Sequence, residues 1–131
     1  MRVHGWPQKL DAKVEEWRSR AFAWGTVDCC QFAAEVVAAL TGDDKRALFP
    51  AYTDEAEARA IIAAHGGLSG LVTAALGEQK HPSRAMRGDV VLLDRGQGEL
   101  IGICIGARIV APGLQGLEFA PMGCALAAWS V

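Results

Sequence analysis

The 131-residue chain has only four cysteines, at positions 29, 30, 104 and 124, and they form neither a CxxC pair nor a Cys/His knuckle. Structural zinc is therefore not expected, and nothing in the pattern calls for a cofactor. The N-terminal residues carry Arg2 but no apolar signal stretch, which points to synthesis in a reducing cytoplasm. A disulfide framework is excluded there, and adjacent Cys29 and Cys30 would bridge only with strain. A soft-metal cluster of Cys29, Cys30 and Cys104 needs the fold to gather all three, whereas free cysteine most often fills core space.

Other absences narrow the function. No apolar run approaches the length of a membrane span. The formal net charge of −2 provides no basic field for nucleic acid. Histidine is scarce, with His4, His65 and His81 the only three. There is no repeat, low-complexity tract or linker to divide the chain, so residues 1–131 read as one domain. The 51% of hydrophobic residues, with four tryptophans and four phenylalanines, suffice for one core.

What is present concentrates at Trp24-Gly25-Thr26-Val27-Asp28-Cys29-Cys30-Gln31-Phe32. Asp28 is a good N-cap and Gln31 stands at the capping-box position, so a helix should begin with Cys29 as its first residue. Unsatisfied N–H groups and the positive end of the macrodipole favour thiolate there, which makes Cys29 a candidate nucleophile. Trp24 is expected either in the core or as a cleft wall beside the thiol. Cys30 is expected in the core.

Periodicity sets the framework. Leu10, Val14, Trp17 and Ala21 recur at helical spacing behind Pro7. Residues 28–40 are apolar almost all round and should form the central buried helix, ending near Thr41-Gly42. Residues 43–87 read as helical with polar breaks: Thr53 or Asp54 caps a helix through Ala64, and a shorter one runs from Leu68 to Gly77. Four short strands then follow at 89–94, 99–105, 107–112 and 117–121, separated by glycine-containing turns. Helices first and an antiparallel meander afterwards is an α+β pattern. Trp129 is expected either to anchor the last segment or to dock a partner subunit, with residues 125–131 the preferred contact.

Trp24-Gly25 with Asp28-Cys29, then Gly88-Asp89-Val90-Val91, then Gly102-Ile103-Cys104-Ile105-Gly106 resembles the NlpC-type cysteine peptidases over residues 22–111. These papain-like enzymes cleave peptidoglycan stem peptides, and phages carry relatives as tail-tip assembly proteins. The resemblance implies a papain-like fold with N-terminal helices packed on a small antiparallel sheet, the 43–87 segment being the variable part. Cys29 matches the family nucleophile and Asp28 the acid before it, while Cys30 replaces the usual serine.

The base motif, H-V-G-I-Y-x-G in the family, departs. Aligning Gly102-Ile103 puts Leu100 on the catalytic histidine, and the imidazole-orienting position falls near Val110. Neither can take a proton, and a cysteine peptidase needs an imidazole within about 3–4 Å of the sulfur. Strand alternation places Leu100, Gly102 and Cys104 on one face, expected to pack on the start of the Asp28 helix beside Cys29. Of the three histidines His81 is the best replacement base; Asp89 should cap a turn through Gly88. The resemblance thus implies a phage tail-tip, baseplate or tail-assembly protein. The resemblance implies contact with hub, tail-tip or baseplate subunits in the virion after assembly in the host cytoplasm, and extends to contact with peptidoglycan. The alternative is an active peptidase or amidase acting on stem peptides through Cys29.

Overall fold

The computed structural model describes residues 2–44 and 52–131. Among the described residues four α-helices precede a five-stranded antiparallel sheet, an α+β architecture. The part of the expected variable segment at 45–51 lies outside the described residues.

Helix α1, Trp6–Trp17, begins with Pro7 in its first turn, where a missing N–H costs nothing. Helix α2, Cys29–Thr41, is capped by Asp28 and stopped by Gly42 at φ +78°, with Phe32, Val36 and Leu40 buried. Trp17 of α1 meets Phe32 of α2 with ring centroids 5.2 Å apart, the aromatic centre of the core. Asp54 caps α3, Glu55–Ala64, and α4, Leu68–Leu76, follows after a 71° bend. Among the described residues no single helix is long and apolar enough to cross a membrane.

Strands β1 (Val90–Asp94), β2 (Glu99–Cys104), β3 (Arg108–Gly113) and β4 (Gly116–Pro121) form the expected meander. A fifth, β5 (Ala125–Trp129), returns to pair with β1, giving the order β4-β3-β2-β1-β5. Its sequence, ALAAW, is too poor in β-branched residues to signal a strand by itself. Tertiary pairing with β1 makes it one.

The two faces of the sheet divide the core. Val90, Leu92, Ile101, Ile103 and Val110 pack with α1, α2 and α4. Val91, Leu93, Cys104, Ile109 and Ala120 form a second cluster on the far face. Leu100 packs with that second cluster, so the expected assignment of faces is reversed: Ile101 and Ile103, not Leu100 and Cys104, lie against α2. Alternation fixes which residues share a face but not which face meets the helix. Cys104 is accordingly held away from the α2 thiols, and no cluster of three metal-capable side chains occurs among the described residues.

Trp129 is fully buried, and its indole N–H donates to Thr73 Oγ1 at 3.1 Å. The docking role considered for it gives way to anchoring: the residue joins β5 to α4 inside the core.

Candidate active site

Residues 18–28 bring the chain from α1 to the start of α2. Phe22 and Trp24 stack edge to face at 4.9 Å, leaving Trp24 37% exposed at the loop tip. Gly25 follows at φ +84°, and a Cβ there would run into the carbonyl oxygen of Tyr52. The tryptophan-glycine pair is thus a wall residue followed by a turn that only glycine completes.

That turn delivers a donor to Asp28. The Asp28 carboxylate accepts from Gln31 N–H at 2.9 Å, from Gly25 N–H at 2.7 Å and from the Tyr52 hydroxyl at 2.6 Å. With 1% of its surface exposed, Asp28 is spent on holding the loop, the helix start and Tyr52 together. It acts as a cap and anchor, and its lone pairs are committed.

Cys29 is the first residue of α2 and is partly buried. Its thiol is pulled below the ordinary range, chiefly because the Cys30 S–H donates to it, with Ile101 N–H and Cys30 N–H adding to the effect. Burial and the nearby Asp28 charge oppose the shift. The Ile101 donor has a topological origin: β2 and β3 pair only at Ile103↔Val110 and Cys104↔Ile109. Where the two strands part, the backbone of β2 is free to face the sulfur.

The neighbours complement this. Cys30 is buried and its thiol is pushed well above the ordinary value, first because its proton is shared with Cys29 and then by burial. Tyr52 is likewise pushed up, by burial and by its bond to Asp28. At neutral pH Cys30 and Tyr52 therefore both keep their protons, beside a sulfur that gives up its own more readily than an ordinary thiol.

A cavity of about 210 Å³ opens over Cys29. Trp24, Asp28, Cys29 and Leu100, four of the five residues singled out in the sequence, line it together with Tyr52. Its other walls are almost wholly apolar, with Ile61, Ile62, Leu68 and Leu71 from α3 and α4. Leu100 enters as a side wall, from its place on the far face.

The fifth residue is elsewhere. His81 does not line the cavity; it caps a 3₁₀ turn at Pro82–Arg84, where Nδ1 lies 2.7 Å from Ser83 Oγ. The proline that follows sets this turn, and the turn occupies the ring, so His81 as a base is not supported by the geometry. His65 closes α3 with Nδ1 2.9 Å from the Ile61 carbonyl oxygen, and His4 lies exposed before α1. Among the described residues no imidazole reaches the cavity, and Val110 is buried in the core.

Asp89 is also buried, but at the opposite end of β1. Its carboxylate accepts from Met86 N–H at 2.9 Å, the expected turn, and beyond that from Lys80 at 2.7 Å, Arg2 at 3.1 Å and Val131 N–H at 3.1 Å. Gly88, at φ +97°, leaves the space that the Arg2 guanidinium fills. Gly88-Asp89 is a clasp for residues near both ends of the described chain, outside the cavity.

Tyr52 is the cavity residue that the sequence pattern did not announce. Its partner lies 24 residues away, and the only local signal is its position just before the Thr53-Asp54 cap.

A family model described as Domain of unknown function (DUF6950) matches residues 1–131. No curated protein and no solved structure matches the chain.

Proposed function

The chain belongs to this family, and we propose that it is an NlpC-like, papain-like domain that has given up hydrolysis and serves as a phage tail-tip, baseplate or tail-assembly protein. The observation that carries the non-hydrolytic part is a cavity that holds the Cys29 sulfur without an imidazole. A leaving amine must be protonated as the C–N bond breaks, and general acid–base help at that step is commonly worth about 10²–10⁴-fold. Leu100 offers nothing to that step. What supports the phage assignment is the motif resemblance of residues 22–111, and the partners it implies are tail hub, tail-tip or baseplate subunits, with the virion tail as the final location.

The test has two arms. Purified protein incubated with muropeptides should release no stem-peptide fragments, and co-expression with neighbouring tail proteins should give a stable complex by size exclusion. A turnover that disappears in Cys29→Ala would replace this reading with that of an active peptidase or amidase, which the lowered Cys29 thiol favours.

A further inference from the structure

We propose that the open groove on the far face of the sheet is a docking surface for a partner protein, which enters it with a segment carrying a large apolar side chain between basic residues. The inference rests on the binding role proposed above and adds the surface and the chemistry of what it receives.

Strand alternation builds the groove. Leu93 of β1, Ile109 and Ala111 of β3 and Ala120 of β4 point away from the helices and floor an open cavity of about 430 Å³. Cys29 does not line it; Phe22, Trp24, Leu100 and Pro112 separate it from the cavity over the thiol.

The rim has the make-up of a protein interface. Four large apolar side chains are exposed among the described residues, and two of them, Trp24 and Leu114, stand on this rim. They are held before any partner arrives, because Phe22 N–H donates to the Leu114 carbonyl oxygen at 3.3 Å and ties the tryptophan loop to the β3–β4 turn. Pre-positioned aromatic and aliphatic side chains around a recess, ringed by polar groups, are what binding hot spots consist of. Across the mouth lies the Arg95–Glu118 ion pair, at 3.5 Å, reaching from the β1–β2 turn over β2 and β3 to β4. Both partners are about half exposed, and a solvated pair of this kind yields readily.

Charge selects the occupant. Asp94 and Glu99 are register partners at the end of the hairpin whose turn, through Arg95 and Gln97, lines the groove. Neither has an ion pair among the described residues, and Glu99 borders the adjoining cavity. Like charges directly opposite on neighbouring strands repel. Glu55 and Glu118 add two carboxylates, already matched by Arg59 and Arg95, so the surplus at this end of the molecule is negative. A basic segment relieves that repulsion, and the exposed part of the Trp24 ring attracts a cation as well. A second copy of this chain would bring the same carboxylates to the contact, so the partner is a different, locally basic protein.

The experiment titrates the full nitrogen-15-labelled chain with three acetylated peptide amides: lysyl-tryptophanyl-lysine, glutamyl-tryptophanyl-glutamate and lysyl-alanyl-lysine. Expected is binding of the first at least about ten-fold tighter than of either other peptide, weakening as salt is raised. Resonances should move at the Trp24 indole N–H and the Gln97 side-chain amide. Leu114→Ser and Glu99→Lys, both at exposed positions, should each weaken binding by about five-fold or more with the remaining spectrum unchanged. Should either variant unfold, the comparison of the three peptides on the unaltered chain decides alone. Equal affinities for the three peptides, no binding at millimolar peptide, or shifts centred on Cys29 or Leu126 would overturn the proposal. A tail-protein complex that survives both substitutions would also overturn it while leaving the tail assignment standing. Groove binding of the basic peptide without any tail complex would sink the tail assignment and leave the surface.

Discussion

Tyr52 donates its hydroxyl to the Asp28 carboxylate at 2.6 Å, so the cap that presents Cys29 is pinned by a residue 24 positions along the chain. The pin joins the entry to α3 to the start of α2 across the cavity. Its loss should be felt in both stability and thiol chemistry. Tyr52→Phe is expected to cost about 2 kcal/mol, the range for a hydrogen bond to a charged group, measured by urea unfolding with m-value unchanged.

The same residue gives a pH dependence of known sign. The folded state holds the Tyr52 proton above its ordinary value, whereas the unfolded chain releases it near pH 10. Folding stability is therefore intact below about pH 10 and falls as pH rises beyond it, since the unfolded state then binds fewer protons. Tyr52 is the only tyrosine in the sequence, so tyrosinate ultraviolet absorbance reports on it alone. The absorbance should appear only as circular dichroism is lost; a tyrosinate signal in a fully folded protein near pH 10 would contradict the buried bond.

Thiol reactivity tests the Cys29–Cys30 pair. Iodoacetamide should modify Cys29 ahead of Cys104 and Cys124, with a pH midpoint below the roughly 8.5 of an unperturbed thiol. Because the Cys30 S–H is the largest stabiliser of the Cys29 thiolate, Cys30→Ala should move the midpoint upward. An unchanged midpoint would transfer the effect to the Ile101 and Cys30 N–H groups.

The clasp at Asp89 is a stability device independent of the cavity. Asp89→Ala leaves Arg2 and Lys80, both mostly buried, without their carboxylate, and frees Val131 N–H. A loss of about 3 kcal/mol is expected, the low end for breaking a buried ion pair. Cys29 alkylation by iodoacetamide should be unaffected in the folded variant, because the clasp and the cavity share no residue.

How much of this was legible in advance follows from the range of each interaction. Asp28, Asp54 and Gly42 act on N–H and C=O groups within a few residues, so the start of α2, the start of α3 and the end of α2 could be read directly. The ladder partner of β5, the reversed faces of the sheet and the bond from Tyr52 to Asp28 depend on contacts between distant segments, for which local pattern holds no information. Asp89 shows both at once: its bond to Met86 N–H is local and was expected, while Arg2, Lys80 and Val131 come from elsewhere. The position of His81 was not legible, because Pro82 turns the chain there and the turn occupies the ring.

Trp129 decides where a binding partner can sit. The ring is wholly inside the core and its N–H reaches Thr73, so Trp129→Ala removes a large buried side chain and leaves Thr73 Oγ1 without that donor. The expected cost is about 3–5 kcal/mol, seen as a large fall in Tm of the isolated protein rather than a selective loss of complex formation. Leu126, three residues earlier on β5 but 52% exposed, makes the contrast. Leu126→Asp should leave the melting temperature within a few degrees, since surface substitutions usually stay within about 0.5 kcal/mol. If tail proteins bind along β5, this substitution will weaken the complex while Trp129→Ala abolishes the fold; if it leaves the complex intact, the contact lies away from the exposed side of β5.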